Sequence, residues 1–137
     1  MQRKITALIW ALSAVAGVTA AQASVQGNDF SLLKGIATGE WTIEFRDGRD
    51  SRKVCVSTGE ELIQLRHQQS DCNRFVLEDT PARLTVQYTC RGHGYGRTDI
   101  RRENPNLVQI DSQGIAGGIP FQFAAEARRT ADCAETR

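Results

Sequence analysis

The stretch Arg83-Leu84-Thr85-Val86-Gln87-Tyr88-Thr89-Cys90 alternates without a break. Leu84, Val86, Tyr88 and Cys90 fall on one side of an extended chain, and Arg83, Thr85, Gln87 and Thr89 on the other. That period of two is the pattern of a half-buried strand, so one face belongs to a core. The strand also ends on one of only four cysteines. Just upstream, Phe75-Val76-Leu77 reads as another strand, separated from the first by the turn Glu78-Asp79-Thr80-Pro81, whose proline cannot continue a ladder. Strand, short turn and strand predict an antiparallel hairpin.

Downstream lies Arg91-Gly92-His93-Gly94-Tyr95-Gly96-Arg97. Glycines at alternate positions suggest a phosphate-binding loop, but such loops need a following helix whose N-terminus faces the anion. Here Thr98 to Glu103 reads as a polar strand, so the segment is expected to be a glycine hairpin turn. Asn104-Pro105-Asn106 is a further turn and Leu107 to Asp111 a further strand. After the glycine-rich connection Ile115 to Ile119, Phe121, Phe123, Ala125 and Ala127 share one side of a closing strand. The alternative over Phe123–Ala131 is a helix, which its alanine, glutamate and arginine content favours.

Upstream, Trp41, Ile43 and Phe45 alternate with Glu40, Thr42 and Glu44 in a strand closed by Asp47-Gly48, and Trp41 is expected to pack in or at the rim of the core. Arg52 to Val56 runs back as a short strand carrying Cys55. Both Ser57…Glu60 and Thr58…Glu61 fit a capping box, which predicts a helix of about two turns with Leu62, Ile63 and Leu65 as its apolar side. The fold expected is therefore α+β and mostly β: a curved antiparallel sheet of about six or seven short strands with one short helix packed on it.

The ends of the chain read differently. Arg3 and Lys4, the uncharged run Ile5 to Val18 and the small-x-small pattern Ala21-Gln22-Ala23 predict a signal peptide over residues 1–23. The run is short and rich in alanine for a membrane span, so no stable membrane insertion is expected after cleavage, and the protein is expected to be periplasmic or secreted. Residues 24–38 form a lead-in, 39–133 one disulfide-stabilised domain and 134–137 a loose tail.

The 137 residues carry 17 Lys+Arg against 16 Asp+Glu, and loss of Arg3 and Lys4 leaves about −1. Such a balance gives no field for nucleic acid or an anionic membrane. Cys55, Cys72, Cys90 and Cys133 form an even set in an exported domain, with no CxxC, and are expected in two disulfides. The expected pairing is Cys55 with Cys72, clamping the helix to its preceding strand, and Cys90 with Cys133.

Nothing assembles into a catalytic, metal or cofactor site. His67 and His93 are expected on the surface, without further ligands at a suitable spacing. No serine sits in a GxSxG elbow. Glu40, Glu44, Glu60, Glu61, Glu78 and Asp79 fall on expected solvent faces or caps.

Gly39-Glu40-Trp41, the four spaced cysteines and the closing strand before Cys133 together resemble the DUF3617 family of small secreted or periplasmic bacterial proteins of unknown function. The resemblance runs from about Gly39 to Cys133. A tight Asp47-Gly48 turn replaces the family's usual Met- and Pro-rich insert, and its tryptophan-containing ending is missing. The resemblance implies export, two disulfides and a mostly β fold, and it carries over no functional residue. Function is accordingly expected to be binding rather than catalysis: a periplasmic module for a small apolar ligand or an envelope protein partner, as an inhibitor for example. The alternative is an envelope-acting hydrolase using converging acids.

Overall fold

Alternation along the strands organises the structure, a computed structural model that describes residues 30–134. The expected signal peptide at 1–23, the start of the lead-in and most of the expected tail lie outside the described residues. The strands are β1 (Gly39–Phe45), β2 (Arg52–Val56), β3 (Asn73–Asp79), β4 (Arg83–Cys90), β5 (Gly94–Asn104), β6 (Leu107–Ala116) and β7 (Ile119–Ala131). They form one open antiparallel sheet in the order β2-β1-β7-β6-β5-β4-β3. A meander from β3 to β7 thus returns to pair with β1, and β2 and β3 are the two edges.

The closing segment is a strand throughout. Phe123, Ala125 and Ala127 are buried on one face, as its period of two requires. The preceding connection is shorter than the sequence suggests, because β6 continues to Ala116 and turns at Gly117-Gly118. Both residues have positive φ, +56° and +80°, the geometry of the tight hairpin turn whose twist matches the flanking strands.

One face of the sheet carries the core. Trp41, Ile43, Leu84, Val86, Tyr88, Ile100, Val108 and Ile110 are all at most 1% exposed. Burial of each is worth about 1.5 to 3 kcal/mol in the area-transfer sense. Trp41 lies within this core and its Nε1 donates to the Ala37 carbonyl at 3.0 Å. Leu32 and Leu33 from the lead-in are buried in the same cluster, so residues 30–38 are part of the folded domain. The connection between β2 and β3, residues 57–72, crosses the same face and adds Leu62, Ile63 and Leu65.

That connection corrects the expected helix. Only a 3-10 turn at Glu60–Leu62 forms, with a second at Leu33–Gly35. A helix would have consumed its own carbonyls, whereas here tertiary donors take them. Thr98 Oγ1 donates to Ile63 O and Arg52 Nη1 to Leu65 O, each at 2.7 Å. From the opposite edge Arg74 reaches the Gln64 side chain at 2.7 Å and pairs with Glu60. Both edges of the open sheet are therefore tied to one connection, which satisfies its backbone without helical bonds.

The disulfides are Cys55–Cys133 and Cys72–Cys90, so the expected pairing is wrong although all four cysteines are used. Topology is the reason. Cys55 on β2 registers with Glu40 on β1, and Glu40 with Ala131 on β7, which leaves the chain emerging from β7 close to β2. In the β3–β4 hairpin Asn73 stands opposite Thr89, and one further step puts Cys72 across from Cys90.

Candidate functional site

The two faces of the sheet differ in what remains unengaged. The core face is covered by residues 57–72 and the lead-in. Its most polar feature is a closed network in which Thr98, Ser112, Tyr88 and His67 bond to one another or to backbone. His67 is 2% exposed and lies between Tyr88 and Phe121. It is a core histidine rather than the expected surface one. Its Nε2 meets the His93 carbonyl, which can only accept, so Nε2 carries the proton and Nδ1 accepts from the Tyr88 hydroxyl. The His93 side chain itself is exposed, as expected.

On the open face the register places side chains in lateral rows, one strand spacing apart, about 4.8 Å. In one row Arg83, Arg101, Gln109, Glu126 and Glu44 stand in succession across five strands. Much of this row is internally satisfied. Gln109 accepts from Arg46 at 2.6 Å and donates to Glu126 at 3.1 Å and Glu103 at 3.3 Å. The Gln109 amide, helped by Arg128, holds Glu126 below the usual carboxylate range. The next row runs Thr85, Asp99, Asp111 and Ala124. Asp99 accepts from Thr85 at 2.8 Å and pairs with Arg83 at 2.7 Å.

The row beyond is different. Gln87, Arg97, Gln113 and Gln122 stand in register on β4, β5, β6 and β7, all exposed. Among the described residues their side chains have no hydrogen-bond or ion-pair partner. Tyr95, two residues before Arg97 on the same face, is 50% exposed and equally unpartnered. Two shallow depressions meet here, of about 380 Å³ towards Arg83 and Arg101 and about 550 Å³ towards Tyr95 and Pro120. They share Arg97, Gln113 and Gln122 as common wall. The result is one continuous groove across four strands, with guanidinium and amide groups at its centre.

The residues singled out from sequence do not converge on this groove. Glu40 pairs with Lys53 at 2.8 Å, Glu60 with Arg74, and Glu78 lies 3.6 Å from Arg83. Asp79 accepts from the Ser31 backbone at 2.8 Å, Glu44 is exposed and Glu61 folds back on its own loop. None of the buried polar residues described is an acid. The groove residues went unrecognised because a row across four strands exists only once the register is known. The available signal was Tyr95 and Arg97 alternating with Gly94 and Gly96, read as turn residues when they are strand. Gly96 is in β5, and a Cβ there would lie 2.3 Å from the Tyr88 hydroxyl.

No family model matches the chain, and no curated protein or solved structure matches it. Among the described residues no helix is long and apolar enough to cross a membrane.

Proposed function

We propose that this protein is an exported, non-enzymatic binding module of the DUF3617 type whose ligand lies in the open-face groove. The observation that carries the proposal is the unpartnered row Gln87, Arg97, Gln113 and Gln122, presented in register by four strands beside Tyr95. Surface glutamines and arginines are commonplace singly. A continuous row without internal partners, beside rows that are satisfied, has the form of a recognition surface on a rigid scaffold. Two disulfides accord with an oxidising compartment. The chemistry of the groove favours a polar ligand over a small apolar one, since the apolar face is filled by the chain's own segments.

Hydrolysis gains less support. A general acid needs a carboxyl raised by burial, whereas the shifted carboxyls Asp47, Glu61 and Glu126 all move down.

The test is native mass spectrometry of oxidised protein recovered from the export compartment, with amide chemical-shift mapping of any retained compound. Shifts concentrated at Gln87, Arg97, Gln113 and Gln122 are expected. A protein that retains nothing, or whose shifts fall on β3 or β2 instead, overturns the proposal.

A further inference from the structure

Resting on that reading of the groove, we infer that its ligand is an acidic glycan, a sugar chain carrying spaced carboxylates among hydroxyls. The signs of charge along the groove select this class. On the open face of β5, Arg97, Asp99 and Arg101 alternate in sign, and Asp99 stands in register with Asp111 on β6. Asp99 is taken by Arg83 and Thr85, whereas Arg97 and Arg101 have no side-chain partner among the described residues.

A densely charged strand such as nucleic acid would bring phosphates against the Asp99–Asp111 pair and be repelled. A ligand with separated carboxylates places them on Arg97 and Arg101. Its hydroxyls then donate to Asp111 and to the glutamine carbonyls and accept from the glutamine amides.

The shapes of the groups agree. Every polar group in the central row is a planar fork, guanidinium or amide, and the row holds no lysine. The guanidinium binds a carboxylate in paired, oriented fashion, and each amide presents a donor beside an acceptor, the complement of a sugar hydroxyl. Tyr95 adds a half-exposed ring against which the C–H face of a sugar can lie.

Arg97 and Arg101 stand four residues apart on β5, about 13 Å along the strand, a separation that a short oligosaccharide spans and a single small anion does not. A protein partner fits less well, because interface centres are desolvated apolar anchors. The most exposed large apolar residues, Phe75 and Ile119, lie on the β3 edge and beside the β6–β7 turn.

The test is calorimetric titration of the oxidised full-length mature protein with oligogalacturonate, with its methyl-esterified form, with inorganic phosphate and with a glutamate-rich peptide. Oligogalacturonate is expected to bind, with at least tenfold loss on esterification. Arg97→Gln should lose at least tenfold and Tyr95→Ala several-fold, at unchanged thermal midpoint, and Arg91→Gln in the β4–β5 turn should lose nothing.

Equal binding of the ester, preference for the peptide or phosphate, or equal loss in Arg91→Gln overturns the inference. Absence of glycan binding, with a retained compound still shifting the groove amides, overturns the glycan and leaves the binding face standing. If nothing perturbs those amides, both fall.

Discussion

The hydroxyl of Tyr88 donates to Nδ1 of His67 across 3.0 Å, joining β4 to the segment that crosses the core face. The other ring nitrogen donates to the His93 carbonyl at 3.1 Å, so one buried imidazole spans from β4 to the β4–β5 turn. Burial pushes the Tyr88 hydroxyl up to about 12, with a hydrogen bond involving Ser112 acting in the opposite direction. Tyr88 therefore stays protonated, and able to donate, throughout the physiological range.

His67 and His93 should respond oppositely to truncation. His67→Ala takes a buried partner from the Tyr88 hydroxyl, leaves the His93 carbonyl with only the Gly117 N–H at 3.0 Å, and opens space beneath the crossing segment. A loss of about 2 to 3 kcal/mol is expected from those two effects. His93→Ala removes only an exposed side chain and should stay within about 0.5 kcal/mol. Urea denaturation of the two oxidised variants checks this, and equal losses would show that the imidazole is not the fastener.

The strand glycines should be less tolerant than the turn glycines. A Cβ on Gly96 meets the Tyr88 ring and hydroxyl within 2.8 Å, and one on Gly114 meets the Tyr95 carbonyl at 2.1 Å. Gly48 has nothing within 4 Å, but its φ of +79° still disfavours a side chain. Gly96→Ala should cost about 1 to 3 kcal/mol through overpacking and shift the His67 ring resonances, because Tyr88 has to move. Gly114→Ala should cost more, since backbone rather than a side chain must give way. Gly48→Ala should cost about 1 kcal/mol, the left-handed penalty alone, and leave the His67 resonances where they are.

The Cys72–Cys90 bridge depends on Leu77 being left out of the β3–β4 ladder. Asp79 pairs with Leu84 and Glu78 with Thr85, but past Leu77 the register shifts, so that Val76 pairs with Val86 and Asn73 with Thr89. Without that bulge, Cys90 would face Asn73 and Cys72 would point to the other side of the sheet. Deleting Leu77 alone would leave Val76 opposite Val86 and Cys72 opposite Cys90, so the test removes Val76 and Leu77 together: Cys72 then falls opposite Thr89, and this disulfide should break or scramble while Cys55–Cys133 is spared, as non-reducing peptide mapping would show. An intact Cys72–Cys90 bridge after deletion would mean that the hairpin register is set elsewhere. By the chain-entropy argument, bridges separated by 78 and 18 residues are worth about 4 to 5 and about 3 kcal/mol.

What could be read from sequence was what repeats within a single strand. The alternation in Arg83 to Cys90 and in Gly39 to Phe45 needed no partner to be seen, and every core position expected on β4 is buried. Features requiring a partner were misjudged. Cys55 was paired with Cys72 and Cys90 with Cys133, although β7 returns beside β1 and carries Cys133 towards β2. The capping acid Glu61 was recognised, yet Thr98 and Arg52 competed for the carbonyls a helix would have used. His67 looked solvent-facing because the polar residues around it hid the core-face partners supplied by β4 and β7. The groove was invisible for a related reason: Gln87, Arg97, Gln113 and Gln122 have no common spacing along the chain and become neighbours only through three successive registers.

Glu61 gives the fold an acid limit. Desolvation by itself raises this carboxyl, but hydrogen bonds from the Ser57 hydroxyl and from the backbone N–H groups of Ser57, Thr58 and Glu61 itself outweigh it. The pKa moves below the ordinary 4.5. A carboxyl depressed in the folded state contributes its stability in full above the unfolded value and loses it as pH falls through the folded one. Glu61 should therefore stabilise the protein at neutral pH and cease to do so in the acid range below about 4.5. Glu61→Gln should lower stability at pH 7 and flatten its decline between pH 5 and the acid limit, measured by urea midpoints across that range. A variant whose pH profile runs parallel to the parent's would show that Glu61 is not the group whose protonation loosens the start of the crossing segment.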